Sequence, residues 1–195
     1  MSNKNIEFND SYLWKEFKNG NQLAFASIYN RYVDQLFKYA TKLTSNRELV
    51  KDCIQEVFYD LYVRRLSLSN ASNLKFYLLK SLKHTIFRKE QRERNILKLN
   101  KKIVPDFIVE YSFERELIET EIEEEKKQLV NDILKELSAN QKEILYLRFM
   151  QELTYSEIAI ITNISAESAK KQVYRTVKKI RQSLGDNSNL IFLLF

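Results

Sequence analysis

Between Ser168 and Leu184 six basic side chains occur without a single acidic one. Lys170, Lys171, Tyr174, Arg175 and Lys178 recur within this segment at three- and four-residue steps, which on a helix lines them along one stripe. Ammonium and guanidinium groups arranged in this way hold phosphate oxygens. At the front of a helix lying in a major groove, such side chains also reach base edges. The blander alternative is a solvated hairpin whose lysines only keep it soluble.

A second basic block runs from Lys80 to Lys102, with nine cations against Glu90 and Glu93. Between the two blocks, Glu110 to Glu125 carries eight glutamates and one arginine. Charge is thus segregated rather than sprinkled, and the chain as a whole carries a formal +6. Two cationic surfaces, one in each half, fit a polyanionic partner, with nucleic acid the foremost candidate. The residues for catalysis are scarce. There is one histidine, one cysteine and no glycine-rich phosphate loop or cluster of metal-ligand spacing, and the dense acidic run lies along one stretch rather than converging on a pocket. We therefore expect no enzyme, no metal and no cofactor.

The elements that must position these groups are helices. Only two glycines and one proline occur in 195 residues, while hydrophobic residues make up 44%, enough for real cores. The expected class is all-α: two small helical domains joined by a linker, the second a helix-turn-helix. Trp14, Phe17, Leu23, Phe25, Ile28, Tyr32, Leu36, Tyr39 and Leu43 follow helical spacing, with a break at Gly20–Asn21. A helix after Ser45–Asn46 carries Leu49, Ile54, Val57, Phe58 and Leu61. Ser67 to Ser72 reads as a loop. A further helix from Asn73 to about Arg94 sets Phe76, Leu79, Leu82, Ile86 and Phe87 inward. Residues 1–95 form the expected first domain, and the aperiodic stretch 96–112 around Pro105 the linker. Residues 113–185 form the second domain, followed by an apolar tail at 186–195.

The second domain opens with an acidic helix from about Glu114 to Leu137. Ser138 with Gln141 and Thr154 with Glu157 have capping-box spacing, and Ser165 is a third N-cap. Ile158, Ile161, Ile164, Ala169, Val173, Val177 and Ile180 form the packed side of a short helix, a tight turn and a longer basic helix. Ala159 sits where those helices approach, and Asn163 at a turn that favours positive φ. Cys53 lies among helically spaced apolar residues and reads as a small core side chain in a reducing compartment. The N-terminus has no signal-peptide run, and no segment is apolar enough to span a bilayer. The expected location is the cytoplasm, without membrane insertion.

From Asp10 to Leu184 these segments resemble the extracytoplasmic-function sigma factors of bacteria, the small two-domain class of RNA polymerase specificity subunits. GNQLAFASIYNRYVDQLFKYA, KDCIQEVFYDLY and FYLLKSLKHTIFRKEQRER match the first domain of that family. ELSANQKEILYLRFMQELTYSEIA and the helix ending KKQVYRTVKKIR match the second. The KQVYR string is most similar to sigma factors of the Bacteroidetes. The five segments in this order are far more specific than any one of them.

The resemblance implies a division of labour. Asp52, Gln55, Glu56 and Phe58 match the helix that docks on the clamp helices of the largest polymerase subunit. Arg64, Arg65, Ser69 and Asn70 in the loop, with Lys80, Lys83, His84 and Arg88 on the next helix, match the parts that hold the melted minus-ten element. Ser168, Lys170, Lys171, Tyr174, Arg175 and Lys178 occupy the positions that read the minus-thirty-five element as duplex. The implied partners are RNA polymerase core, promoter DNA and an anti-sigma factor. Thr162 and Asn163 stand where the family has leucine and glycine, Ala169 where it has valine, and His84 where it has asparagine. The main competing reading is a stand-alone helix-turn-helix regulator with a helical sensor or dimerisation domain. A second is a decoy that keeps the fold without the DNA contacts.

Overall fold

The structure is a computed structural model that describes residues 10–68, 73–96, 107 and 121–185. Every regular element among these residues is helical. The chain forms two compact units, Met1–Val104 and Pro105–Phe195.

In the first unit α1 (Asp10–Lys18), α2 (Gln22–Leu43), α3 (Arg47–Val63) and α4 (Leu74–Ile96) pack together, α2 touching each of the others and α3 lying against α4. Their boundaries follow from local chemistry. Gly20 takes φ +89, a left-handed angle that suits glycine, and ends α1. Asn21 and Asn46 then cap α2 and α3, each side chain accepting a backbone N–H of the first turn. Asp10 ties α1 to α2 by accepting from Arg31 at 2.6 Å and from the Tyr32 hydroxyl.

The buried faces follow a strict helical repeat: Ala24, Ile28, Tyr32, Leu36, Tyr39 and Leu43 on α2, and Leu74, Leu78, Leu79, Leu82, Thr85 and Ile86 on α4. Three expectations need correction here. Leu23 is 79% exposed, because it lies one residue off the i, i+4 row that begins at Ala24. Phe76 and Phe87 are half-buried flank residues, displaced by the leucines of the inner row.

Cys53 is fully buried on α3. Burial pushes its thiol up from 9.0 to about 11, with Glu56 and Asp52 adding to the shift and Lys89 and Arg88 opposing it. Because the folded value is the higher one, this group favours folding below the ordinary thiol range, and that contribution is lost as pH rises towards about 11. Native protein at neutral pH should therefore resist iodoacetamide while denatured protein alkylates readily; mass spectrometry after a timed quench reads the difference.

In the second unit α5 (Glu121–Lys135) and α6 (Ala139–Leu145) lead through a π-helical turn, Tyr146–Met150, to α7 (Tyr155–Thr162) and α8 (Ala166–Leu184). Helix α8 packs on α5, α6 and α7. Its inner row is Ala169, Val173, Thr176, Ile180 and Leu184. The core also takes Val130, Ile133, Leu134 and Leu137, and Phe107 stands 5.7 Å from the Tyr146 ring. Phe107, from the aperiodic stretch around Pro105, is a core residue of this unit. The remainder of that stretch, the apolar tail and the start of the acidic helix lie outside the described residues.

Candidate nucleic-acid interface

The helix-turn-helix is built by backbone satisfaction at each end. Thr154 and Glu157 form a reciprocal capping box at the start of α7, as do Ser138 and Gln141 at the start of α6. Helix α7 stops at Asn163, which takes φ 55 and ψ 47, while the Ile164 N–H returns to the Ala159 carbonyl at 3.0 Å. Ser165 then caps α8, its hydroxyl accepting from the Ser168 N–H at 3.1 Å. Ala159, 7% exposed, lies on the α7 side packed against α8. Asparagine pays less than other non-glycine residues for a left-handed angle, a conformation that costs roughly 1–2 kcal/mol when a Cβ is present. Asn163→Gly should thus hold or raise the thermal midpoint. Asn163→Val should lower stability by about 1–2 kcal/mol, read by a circular-dichroism melt.

A feature with no sequence warning precedes α7. The Gln151 N–H reaches the Tyr146 carbonyl at 3.1 Å, a five-residue step, and Glu152 takes φ 58 without being glycine. Buried Gln151 donates from its amide to the Tyr146 hydroxyl at 3.1 Å, and burial pushes that phenol up to about 12. Arg148 holds the Leu153 carbonyl at 3.0 Å and stacks 5.0 Å over the Tyr155 ring. Together these contacts set the angle at which α7 leaves α6.

On α8 the expected stripe is exposed: Lys170, Lys171, Tyr174, Arg175 and Lys178 all face outward, with Tyr174 at 71%. Ser168 is half-buried and shares a hydroxyl contact with Ser165 at 2.8 Å. Lys171 meets Glu167 at 2.6 Å on the open surface. Lys179, by contrast, reaches back along the surface to Glu136 at 3.2 Å, so it braces the helix rather than extending the stripe. Asn140 donates to Gln172 at 3.0 Å and pins α6 to α8.

In the first unit, Asp52 and Gln55 are exposed on α3. Phe58 is not: it is 3% exposed, 4.7 Å from the Tyr29 ring and 6.3 Å from Phe25, so it supports the helix from inside and offers no docking surface. Glu56 turns sideways to α4, one carboxylate oxygen on Arg88 and the other on Lys89 at 3.2 Å. On α4, Lys80 and His84 are exposed one turn apart, while Lys83 lies 5.7 Å over the Phe87 ring. At the end of α3, Arg64 is exposed. Arg65 folds back over the Tyr62 ring at 4.9 Å and donates to the Tyr62 carbonyl at 3.1 Å. Lys18 donates to the Leu68 carbonyl at 2.8 Å, fixing where the loop after α3 begins. Ser69 and Asn70 lie outside the described residues.

Comparison with known proteins matches each unit to a family model. Residues 28–95 match the family model "Sigma-70 region 2", and residues 127–180 match "Sigma-70, region 4". The chain is 24% identical over 157 residues to the ECF RNA polymerase sigma factor SigM of Bacillus subtilis (strain 168), covering 79% of this chain and 91% of that one. Its fold is similar to CnrH, solved in complex with the cytosolic domain of CnrY, with a TM-score of 0.56, 15% identity and coverage of 91% and 98%. It is also similar to the sigma factor RpoE of Bartonella quintana, solved with the anti-sigma factor NepR, with a TM-score of 0.52, 20% identity and coverage of 89% and 99%.

Proposed function

This chain belongs to the sigma-70 family, with a region 2 and a region 4 in order, and we propose from that premise how its two surfaces divide the work of promoter recognition. It is a sigma factor, which binds RNA polymerase core and directs initiation at particular promoters. The carrying observation is the coupling of two unlike surfaces in one chain: an exposed face of mixed charge on α3, with Asp52 and Gln55 beside the Glu48–Lys51 pair, and a cationic stripe on α8. A stand-alone regulator has use for the second but not the first.

Asp52 and Gln55 dock on the clamp helices of the largest polymerase subunit. Arg64, Lys80, Lys83, His84 and Arg88 follow the backbone of the melted minus-ten strand, where cations and flat side chains act without demanding a fixed sequence. Ser69 and Asn70 belong to the same proposal through the loop they occupy. Lys170, Lys171, Tyr174, Arg175 and Lys178 enter the major groove of the minus-thirty-five element. Ser168 helps set the front of that helix. The role is non-catalytic and its setting is the cytoplasm. The extracytoplasmic-function class supplies a fourth expectation, an anti-sigma factor. CnrH and RpoE, to which this fold is similar, were each solved with a second protein bound, named as an anti-sigma factor for RpoE.

The test is association. Purified chain mixed with polymerase core should elute with it on gel filtration. Elution apart from core, with specific duplex binding retained, would favour the stand-alone regulator.

A further inference from the structure

The contact between Glu56 and α4 does more than join two helices. Glu56 is half-buried and spends both carboxylate oxygens, one on each of two neighbouring cations. Arg88 and Lys89 are themselves only 36% and 27% exposed at the side chain, so water and salt screen this cluster less than an open surface pair. A further ion pair on α4, Arg94 to Glu90 at 3.4 Å, is internal to the helix and leaves this cluster untouched. Glu56 also lies one helical turn beyond Asp52 and next to Gln55, at the edge of the exposed α3 face. One carboxylate therefore borders two surfaces of different purpose.

We propose that Glu56 withholds Arg88 and Lys89 from single-stranded nucleic acid in the free protein, and that a partner engaging the α3 face draws Glu56 away and releases them. A phosphate and the Glu56 carboxylate compete for the same guanidinium and ammonium donors, and while the carboxylate is in place it engages both cations and offsets one of their two charges. Lys89 thereby becomes a strand-contacting residue alongside Arg88. The release step rests on the reading of α3 as the polymerase-docking helix; the withholding step does not.

The experiment measures anisotropy of a short fluorescein-labelled oligothymidine against full-length parent and Glu56→Gln, without polymerase, across a salt series. Glu56→Gln should bind three- to tenfold more tightly at low salt. Its logarithmic salt dependence should steepen by roughly 0.7 to 1.4, because single strands release about 0.7 counterion per phosphate neutralised and one or two phosphates are gained. Adding Arg88→Gln and Lys89→Gln should erase the gain. With polymerase core present, parent and Glu56→Gln should converge. Equal affinity and salt slope for a folded Glu56→Gln would overturn the proposal and leave Glu56 a brace between helices. So would a gain that survives loss of both cations. A parent that fails to bind core refutes the sigma reading and the release step, and is scored separately from the oligothymidine titration.

Discussion

Alanine at both Lys170 and Arg175 should reduce affinity for the upstream duplex element at least thirtyfold while leaving the thermal melt unchanged. Both side chains are exposed on α8, outside its buried row of Ala169, Val173, Thr176, Ile180 and Leu184, so their removal opens no cavity. Each good contact to a base edge is worth roughly 1–3 kcal/mol, and contacts on well-separated positions add approximately. Two together therefore cost about 2–6 kcal/mol, thirtyfold at the low end. The two losses should be distinguishable. A side chain bonded to a base relaxes preference at one position, whereas one bonded to phosphate weakens all sequences and lowers the salt slope. Electrophoretic mobility shift with a panel of duplexes reads both. Undiminished binding by the folded double variant would remove α8 as the reader.

The second large effect concerns polymerase. Asp52→Lys combined with Gln55→Ala should abolish core binding and leave duplex binding by α8 intact. The choice of residues follows from the structure rather than from motif membership. Phe58 is in the core, where substitution would unfold the domain, and Glu56 is bound to Arg88 and Lys89, where substitution would change strand binding as well. Asp52 and Gln55 alone of the four present an exposed side chain. Polar contacts at the desolvated centre of an interface cost several kcal/mol when one partner is reversed in charge, roughly 2–5. A pull-down beside a circular-dichroism melt separates loss of contact from loss of fold. Normal core binding by the folded variant would refute this docking face.

What the residues made legible was mostly local. Capping boxes need partners three positions apart, so Ser138 with Gln141 and Thr154 with Glu157 could be read directly. Asn163 is similar: its left-handed angle ends one helix within the span of a single turn. The α8 stripe was legible because its period is intrinsic to the helix. Contacts across elements were not. The partners of Glu56 lie 32 and 33 positions on, and no spacing rule connects them. Phe58 sits on a helix enclosed by α2 and α4, so period alone could not say whether its face meets a partner or the core. Phe107 carries no period at all, and the π-helical turn places Glu152 at positive φ where nothing in the residue type signals it.

The departures at the turn have a physical meaning. Thr162, in place of the family's leucine, donates its hydroxyl to the Ile158 carbonyl at 2.7 Å, a bond that keeps the polar group satisfied inside the last turn of α7. Ala169 is fully buried where the family has a larger valine. Both changes leave the exposed cations of α8 in place.

The central claim is that this chain confers start-site choice on polymerase. The most direct measurement is transcription of the source genome's DNA by purified core, with and without the chain, followed by mapping of RNA ends. A small set of new start sites should appear, sharing an upstream duplex element and a melted element at fixed spacing. Those starts should disappear with either Lys170→Ala Arg175→Ala or Asp52→Lys Gln55→Ala. RNA ends identical with and without the parent chain, under conditions where it is folded and bound to core, would contradict it.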